Sequence, residues 1–184
     1  IQPSTPKSAT TKTVQTQPHE FSLPEAFAVV NPKTAIHSPA VNLSGAGVAL
    51  KLAQALLIDH GSNDIMSRFF DLAALGTIAD VVPLTGENRM IVKEGLEMIG
   101  HGTNTGLLAL KNVAGIKGKY LKPGRLLFSV IPRINAPGRI SDARSVITLL
   151  STDSEDEAMD IASWLDQQNS ERQRIEETVY QEAL

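Results

Sequence analysis

Apolar positions recur at helical spacing over most of this chain. Phe69, Leu72, Ala73, Leu75, Gly76 and Ala79, continued by Ile78, share one broad face and predict a helix running up to Pro83. Ile91, Val92, Gly95, Leu96 and Ile99 predict a second over Met90–Ile99, entered through a turn at Gly86–Arg89 and closed by Gly100. Leu107, Leu108, Leu110 and Val113 give a third over Thr103–Val113. A helix from about Gly45 to Asp59, ended by Gly61, precedes these, and Ser62 or Asn63 is the expected cap of the helix that follows it. Ser141 or Asp142 should cap a helix through Leu150. Thr152-Asp153-Ser154-Glu155 should cap a last one reaching from Ser154 to Leu184, with acidic residues favourable in its first turn.

One stretch breaks the helical pattern. Ala26-Phe27-Ala28-Val29-Val30, closed by Asn31-Pro32, reads as a short, fully buried strand. A lone strand is not stable and needs a sheet, yet no other convincing strand follows. The last helix is equally incomplete, because its apolar stripe thins after Leu165 and is mostly charged beyond Asn169. A helix polar nearly all round is often one that bridges domains. Both features make the chain look like part of something larger. Residues 1–20, rich in Ser, Thr, Gln, Pro and Lys, read as a disordered or atypical arm.

Composition narrows the chemistry. Apolar residues make up 42% of the 184, and aromatics only 4%, so the core is expected to be aliphatic and Ala-rich. Net charge is −3, so any contact with nucleic acid has to come from a local basic patch. The absence of Cys excludes disulfides and thiolate metal sites. No apolar run is long enough for a membrane span and no secretory signal is visible, which makes a cytoplasmic location the expectation.

Three groups of residues carry candidate chemistry. Asp80 lies between Ala79 and Val81 in apolar surroundings, where a charge is costly unless it is hydrogen-bonded, paired or bound to a metal. Lys117, Lys119 and Lys122 cluster with Arg125 in a loop, either as a solvated surface or as contacts to a DNA backbone. Pro132-Arg133-Ile134-Asn135-Ala136-Pro137-Gly138-Arg139 reads as a tight loop stiffened by proline, in which two guanidinium groups are either ion-paired or placed to hold phosphate. Gly45-Ala46-Gly47-Val48 at a helix start offers free amides to an anion or allows close backbone packing.

Several of these segments, in order, resemble RecJ, the single-strand-specific 5′-to-3′ DNA exonuclease family of the DHH phosphoesterase superfamily. They are Val29-Val30-Asn31-Pro32, the run from Asn42 to Leu52, Ala74-Leu75-Gly76-Thr77-Ile78-Ala79-Asp80-Val81-Val82-Pro83-Leu84, Glu87-Asn88-Arg89, the run from Pro132 to Arg139, and Asn169-Ser170-Glu171-Arg172. The resemblance implies a predominantly α fragment of an α/β DHH domain. It would have one main strand near its N-terminus, packed helices over 21–152, and a long connecting helix over 153–184 leading toward a second core domain. It implies that Asp80 is a catalytic metal ligand for Mn²⁺ or Mg²⁺, and that Arg139, with Asn135 and Arg133, lines a substrate-phosphate pocket. Single-stranded DNA is the implied substrate, single-strand-binding protein a possible partner, and the full-length form a monomer.

The departures are specific. Where the family carries Asp-His-His, this chain reads Gln15-Thr16-Gln17-Pro18-His19-Glu20, leaving His19 as a doubtful metal ligand. Pro137 stands in place of the family's second Ala, and a full ligand set is absent. The expectation is therefore a fragment that is inactive by itself. The alternatives are a non-catalytic module binding single-stranded DNA or protein, and a different DHH phosphoesterase acting on short oligonucleotides. If one phosphodiester is served, Asp80 and Arg139 should face one cleft.

Overall fold

The computed structural model describes residues 25–34, 38–58, 67–140 and 143–184. A 3₁₀ turn, Pro32–Thr34, leads to helices α1 (Gly45–Ile58), α2 (Phe70–Ala79), α3 (Gly86–His101), α4 (Thr105–Val113), α5 (Pro123–Ser129), α6 (Ile131–Asn135), α7 (Pro137–Ile140), α8 (Arg144–Ser151) and α9 (Glu155–Glu182). No strand occurs among the described residues, and none of their helices is long and apolar enough to cross a membrane.

The helix α2 lies at the centre, packed against both α1 and α3. Ala73, Ala74 and Gly76 put small groups against those two neighbours, so its backbone approaches them closely. A Cβ placed on Gly95 of α3 would stand 2.2 Å from Ala74 Cβ and 2.3 Å from the Phe70 carbonyl oxygen, and one on Gly76 would stand 2.5 Å from Ala46 Cβ. Only glycine permits that approach. Ala73, Ala74, Leu43, Leu50 and Ile91 form a small core between α1, α2 and α3. A larger one, centred on Leu107, Leu110, Leu126, Leu149 and Leu165, joins α2–α6, α8 and α9.

The helix ends follow local chemistry. Asn104 caps α4, its side chain accepting from the Leu107 N–H at 2.9 Å. Ser154 caps α9 by accepting from the Glu157 N–H, and Glu155, Asp156 and Glu157 occupy the first turn, as the sequence leads one to expect. The last turn of α3 is held by a buried cation. Lys111 Nζ donates to the carbonyls of Ile99 (2.8 Å) and Gly100 (3.0 Å), which meets the negative end of the helix dipole. Burial holds its ammonium below the ordinary lysine pKa.

Four expectations are corrected. The segment 26–30 is not a strand: Phe27, Val29 and Val30 are exposed, because no described segment of the chain offers a sheet to pair with. The helix α3 passes through Gly100 and stops at Gly102, whose φ of 75° is the left-handed conformation that ends helices. Gly100 serves close packing instead, with the Lys119 carbonyl oxygen 2.1 Å from where its Cβ would stand. The tight loop at 132–139 is two short helices, since Pro132 and Pro137 both fall in a first turn, where no N–H is needed. The cap of α8 is Ala143, while Ser141 and Asp142, like the cap at Ser62 or Asn63, the stop at Gly61, the arm 1–20 and His19, lie outside the described residues.

Gly95→Ala is expected to lower unfolding free energy by about 1–3 kcal/mol through overpacking. Gly124→Ala, where a Cβ meets nothing within 4 Å, is expected to be neutral or stabilising by up to about 1 kcal/mol. Urea titration followed by helical circular dichroism measures both, and equal effects would contradict the close-packing account.

Candidate functional site

Asp80 stands at the C-terminus of α2 as its cap residue, with extended backbone (φ −91°, ψ 158°). It is exposed rather than embedded in the apolar face, because the helix stops at Ala79 instead of running up to Pro83. Its Oδ1 accepts from the Val81 N–H at 2.7 Å. Around it lies a cleft of about 500 Å³ lined by Asn31, Lys33, Asn42, Gly45 and Pro83 among others. The start of α1 therefore faces the end of α2 across this cleft.

Buried polar groups fix the two walls to each other. Ser44 Oγ accepts from the Gly47 N–H at 2.9 Å, which caps α1, and it is 2.8 Å from Thr77 Oγ1. Thr77 is one turn before Asp80 and also donates to the Ala73 carbonyl at 2.7 Å. On the far side, buried Asn88 donates through Nδ2 to the carbonyls of Asn42 (2.7 Å) and Pro83 (3.0 Å). One amide thus ties the segment entering α1 to the segment leaving Asp80. Buried polar groups cost stability unless satisfied, so these bonds specify a single arrangement. Asn88, Ser44 and Thr77 all sit inside the motifs quoted above, but nothing in the spacing shows that they meet.

The other expected site residues divide. Arg133 is committed to structure. Its Nε and Nη2 both lie 2.7 Å from Asp166 Oδ1 on α9, and its Nη1 donates to the Ser129 carbonyl. That leaves no free fork for phosphate. Asn135 is exposed at the end of α6, and Arg139 follows in α7, where its side chain lies outside the described residues. The expected convergence of Asp80 and Arg139 therefore rests on the sequence. Lys117, Lys119 and Lys122 are all exposed. Gly47 takes the close-packing role, a Cβ there standing 3.1 Å from Leu43, while Gly45 is open to the cleft.

Another buried acid lies away from the cleft. Asp71, only 1% exposed, has its carboxyl pushed up by burial, partly offset by hydrogen bonds from the Leu72 N–H and the Thr103 hydroxyl. It anchors the start of α2 to the loop after α3.

The donor chemistry at Asp80 suits a hard divalent cation, since a carboxylate oxygen with free access is a standard ligand for Mn²⁺ or Mg²⁺. It suits one ligand of a shell rather than a whole one. Among the described residues no group of three His, Asp or Glu side chains is placed to hold an ion.

Comparison with known proteins finds one class, the single-stranded-DNA-specific exonucleases. The relatives are RecJ proteins. That of Bacillus subtilis is 39% identical over 163 residues, covering 88% of this chain and 20% of the relative. That of Thermus thermophilus is 40% identical over 141 residues, covering 77% and 21%. The Mn²⁺ complex of Thermus thermophilus RecJ superposes with a TM-score of 0.75 at 38% identity, covering 82% of this chain and 22% of that one. A manganese-bound exonuclease RecJ superposes with a TM-score of 0.72. No family model matches. This chain is a relative of RecJ, and it spans about a fifth to a third of the length of the curated RecJ proteins it matches.

The Arg133–Asp166 pair joins α6 to α9 and is only partly exposed. In a double-mutant cycle with Arg133→Met and Asp166→Ala, the coupling is expected to be about 1 kcal/mol, above most exposed pairs. Arg133→Lys is expected to lose most of it, because an ammonium cannot reproduce the fork. A coupling near zero would show the pair to be incidental.

Proposed function

We propose that this chain is a segment of a metal-dependent, single-stranded-DNA-specific exonuclease that works from the 5′ end. The observation that carries the reading is an accessible carboxylate, Asp80, held at a braced cleft within a segment that resembles RecJ. Asp80 would supply one oxygen ligand to Mn²⁺ or Mg²⁺, with the remaining ligands contributed from outside the described residues. Bound there, the ion would activate water and neutralise charge on the phosphodiester. The role of this chain's own residues is positional. Ser44, Thr77 and Asn88 hold the carboxylate at the cleft, and Arg133 fixes α6 against α9 so that Asn135 and Arg139, which follow it, reach the substrate phosphate.

The same reading assigns residues 21–152 to the C-terminal part of an α/β DHH domain, whose sheet would cover the exposed Phe27, Val29 and Val30. It assigns 153–184 to a helix joining that domain to a second one, consistent with the exposure of Ile175, Val179, Tyr180 and Leu184. A monomeric, cytoplasmic full-length protein meeting single-strand-binding protein completes the proposal.

A chimera tests it. The matching segment of Thermus thermophilus RecJ is replaced by this chain's, and release of nucleotides from single-stranded DNA is measured with Mn²⁺. The chimera is expected to cleave, and Asp80→Ala to reduce cleavage by at least about a hundredfold, as loss of a metal-site residue does. Binding of DNA in EDTA is expected to persist. Cleavage indifferent to Asp80→Ala would refute the assignment, and a folded chimera that binds but never cleaves would favour the non-catalytic module.

A further inference from the structure

Charge is segregated along this acidic chain. Between Glu97 and Asp142 no Asp or Glu occurs, whereas seven of the 17 Lys and Arg do. Lys111 and Arg133 are engaged internally. Lys117, Lys119, Lys122 and Arg125 are exposed, and none of their four side chains has a hydrogen-bond or ion-pair partner among the described residues. In the middle of them sits Tyr120, with a relative exposure of 102%.

The loop that carries Tyr120 is held at both ends. Ile116 is buried in the core, and its N–H donates to the Lys111 carbonyl at 2.9 Å. The Lys119 carbonyl lies flat against Gly100, and Leu121 packs on the large core. The backbone at 119–121 is thus fixed, and the ring of Tyr120 projects from a rigid base. Beside it is a cleft of about 580 Å³ lined by Tyr120, Lys119, Lys93, Leu96, His101 and one carboxylate, Glu97. His101 uses Nδ1 against the Glu97 carbonyl at 2.8 Å, which leaves Nε2 for a ligand.

We infer that Tyr120 is a stacking platform for an unpaired base of single-stranded DNA, and that Lys117, Lys119 and Lys122 hold the phosphates on either side of it. The inference rests on the reading that the protein acts on single-stranded DNA, and it names a surface for that substrate away from the Asp80 cleft. The argument is one of fit. Flexible ammonium groups at close spacing track a polyanion without regard to sequence. A fully exposed ring among them offers what a lysine cluster lacks, a flat face for a base. A duplex keeps its bases stacked inside, so the ring selects the single strand.

The test uses the 184-residue chain in EDTA, with the fluorescence anisotropy of a labelled oligothymidylate of about fifteen nucleotides, within the span one binding surface covers. Tyr120→Ala is expected to weaken binding about tenfold, the loss of one base–aromatic stack, and Tyr120→Phe to keep it within about twofold. Replacing the three lysines by Gln is expected to reduce the slope of log K against log salt by about two, measured between about 50 and 200 mM. An abasic strand of equal length is expected to bind the unaltered chain about as weakly as oligothymidylate binds Tyr120→Ala, a comparison that needs no variant to fold. If oligothymidylate binds but neither the abasic strand nor Tyr120→Ala differs, the stacking inference is wrong while the single-strand reading stands. If the unaltered chain does not bind oligothymidylate, the single-strand reading falls with it.

Discussion

Everything near the cleft depends on how closely α2 approaches its two neighbours. The helix Phe70–Ala79 meets those neighbours through Ala73, Ala74, Gly76 and Thr77, while Leu75 and Ile78 enter the larger core. Gly95 and Gly76 let the α3 and α1 backbones close on it to distances at which a methyl group would collide. Interiors at that density transmit strain instead of absorbing it. The end of α2 is consequently a fixed point, and Asp80 inherits its position from it. The Ser44–Thr77 hydroxyl pair and the two carbonyls held by Asn88 extend the same constraint to the opposite wall. A carboxylate that must meet a cation without reorganising gains from such a mount.

Much of this was legible in the sequence, and the parts that were not share a physical cause. The helices at Gly45–Ile58, Thr105–Val113 and Glu155–Glu182 follow from apolar spacing and, for the last, from the cap at Ser154, while the expected Met90–Ile99 helix starts earlier, at Gly86, so that the expected turn at Gly86–Arg89 is its first turn. The run 26–30 misled because a strand is defined by its partners, which its own composition does not supply. Two prolines in 132–139 suggested a loop because a proline-bearing first turn and a proline turn look alike without coordinates. Gly100 looked like a helix stop, but its missing Cβ serves the Lys119 backbone. Asp80 is singled out by the motif around it. The burial of Asn88 behind it depends on a contact 46 residues apart in the chain.

The two arginines at the candidate phosphate loop also separate on structural grounds. Sequence treats Arg133 and Arg139 as equivalent forks. The fold gives Arg133 to Asp166 and Ser129, which joins the short helices α6 and α7 to the long helix α9. The segment 131–140 is thereby fixed relative to α9, and α9 extends well beyond the packed core.

The central claim is that Asp80 is a metal ligand presented at a preformed cleft. Paramagnetic broadening of amide signals tests it most directly, using Mn²⁺ added to the ¹⁵N-labelled chain. A single carboxylate binds weakly, but Mn²⁺ broadens nearby amides even when bound only a fraction of the time. The account requires broadening centred on Asp80 and Val81 and reaching Asn31, Asn42 and Gly45 across the cleft, all of it lost in Asp80→Asn. Broadening centred elsewhere, for example on Glu94 and Glu97, or unchanged by Asp80→Asn, would contradict it.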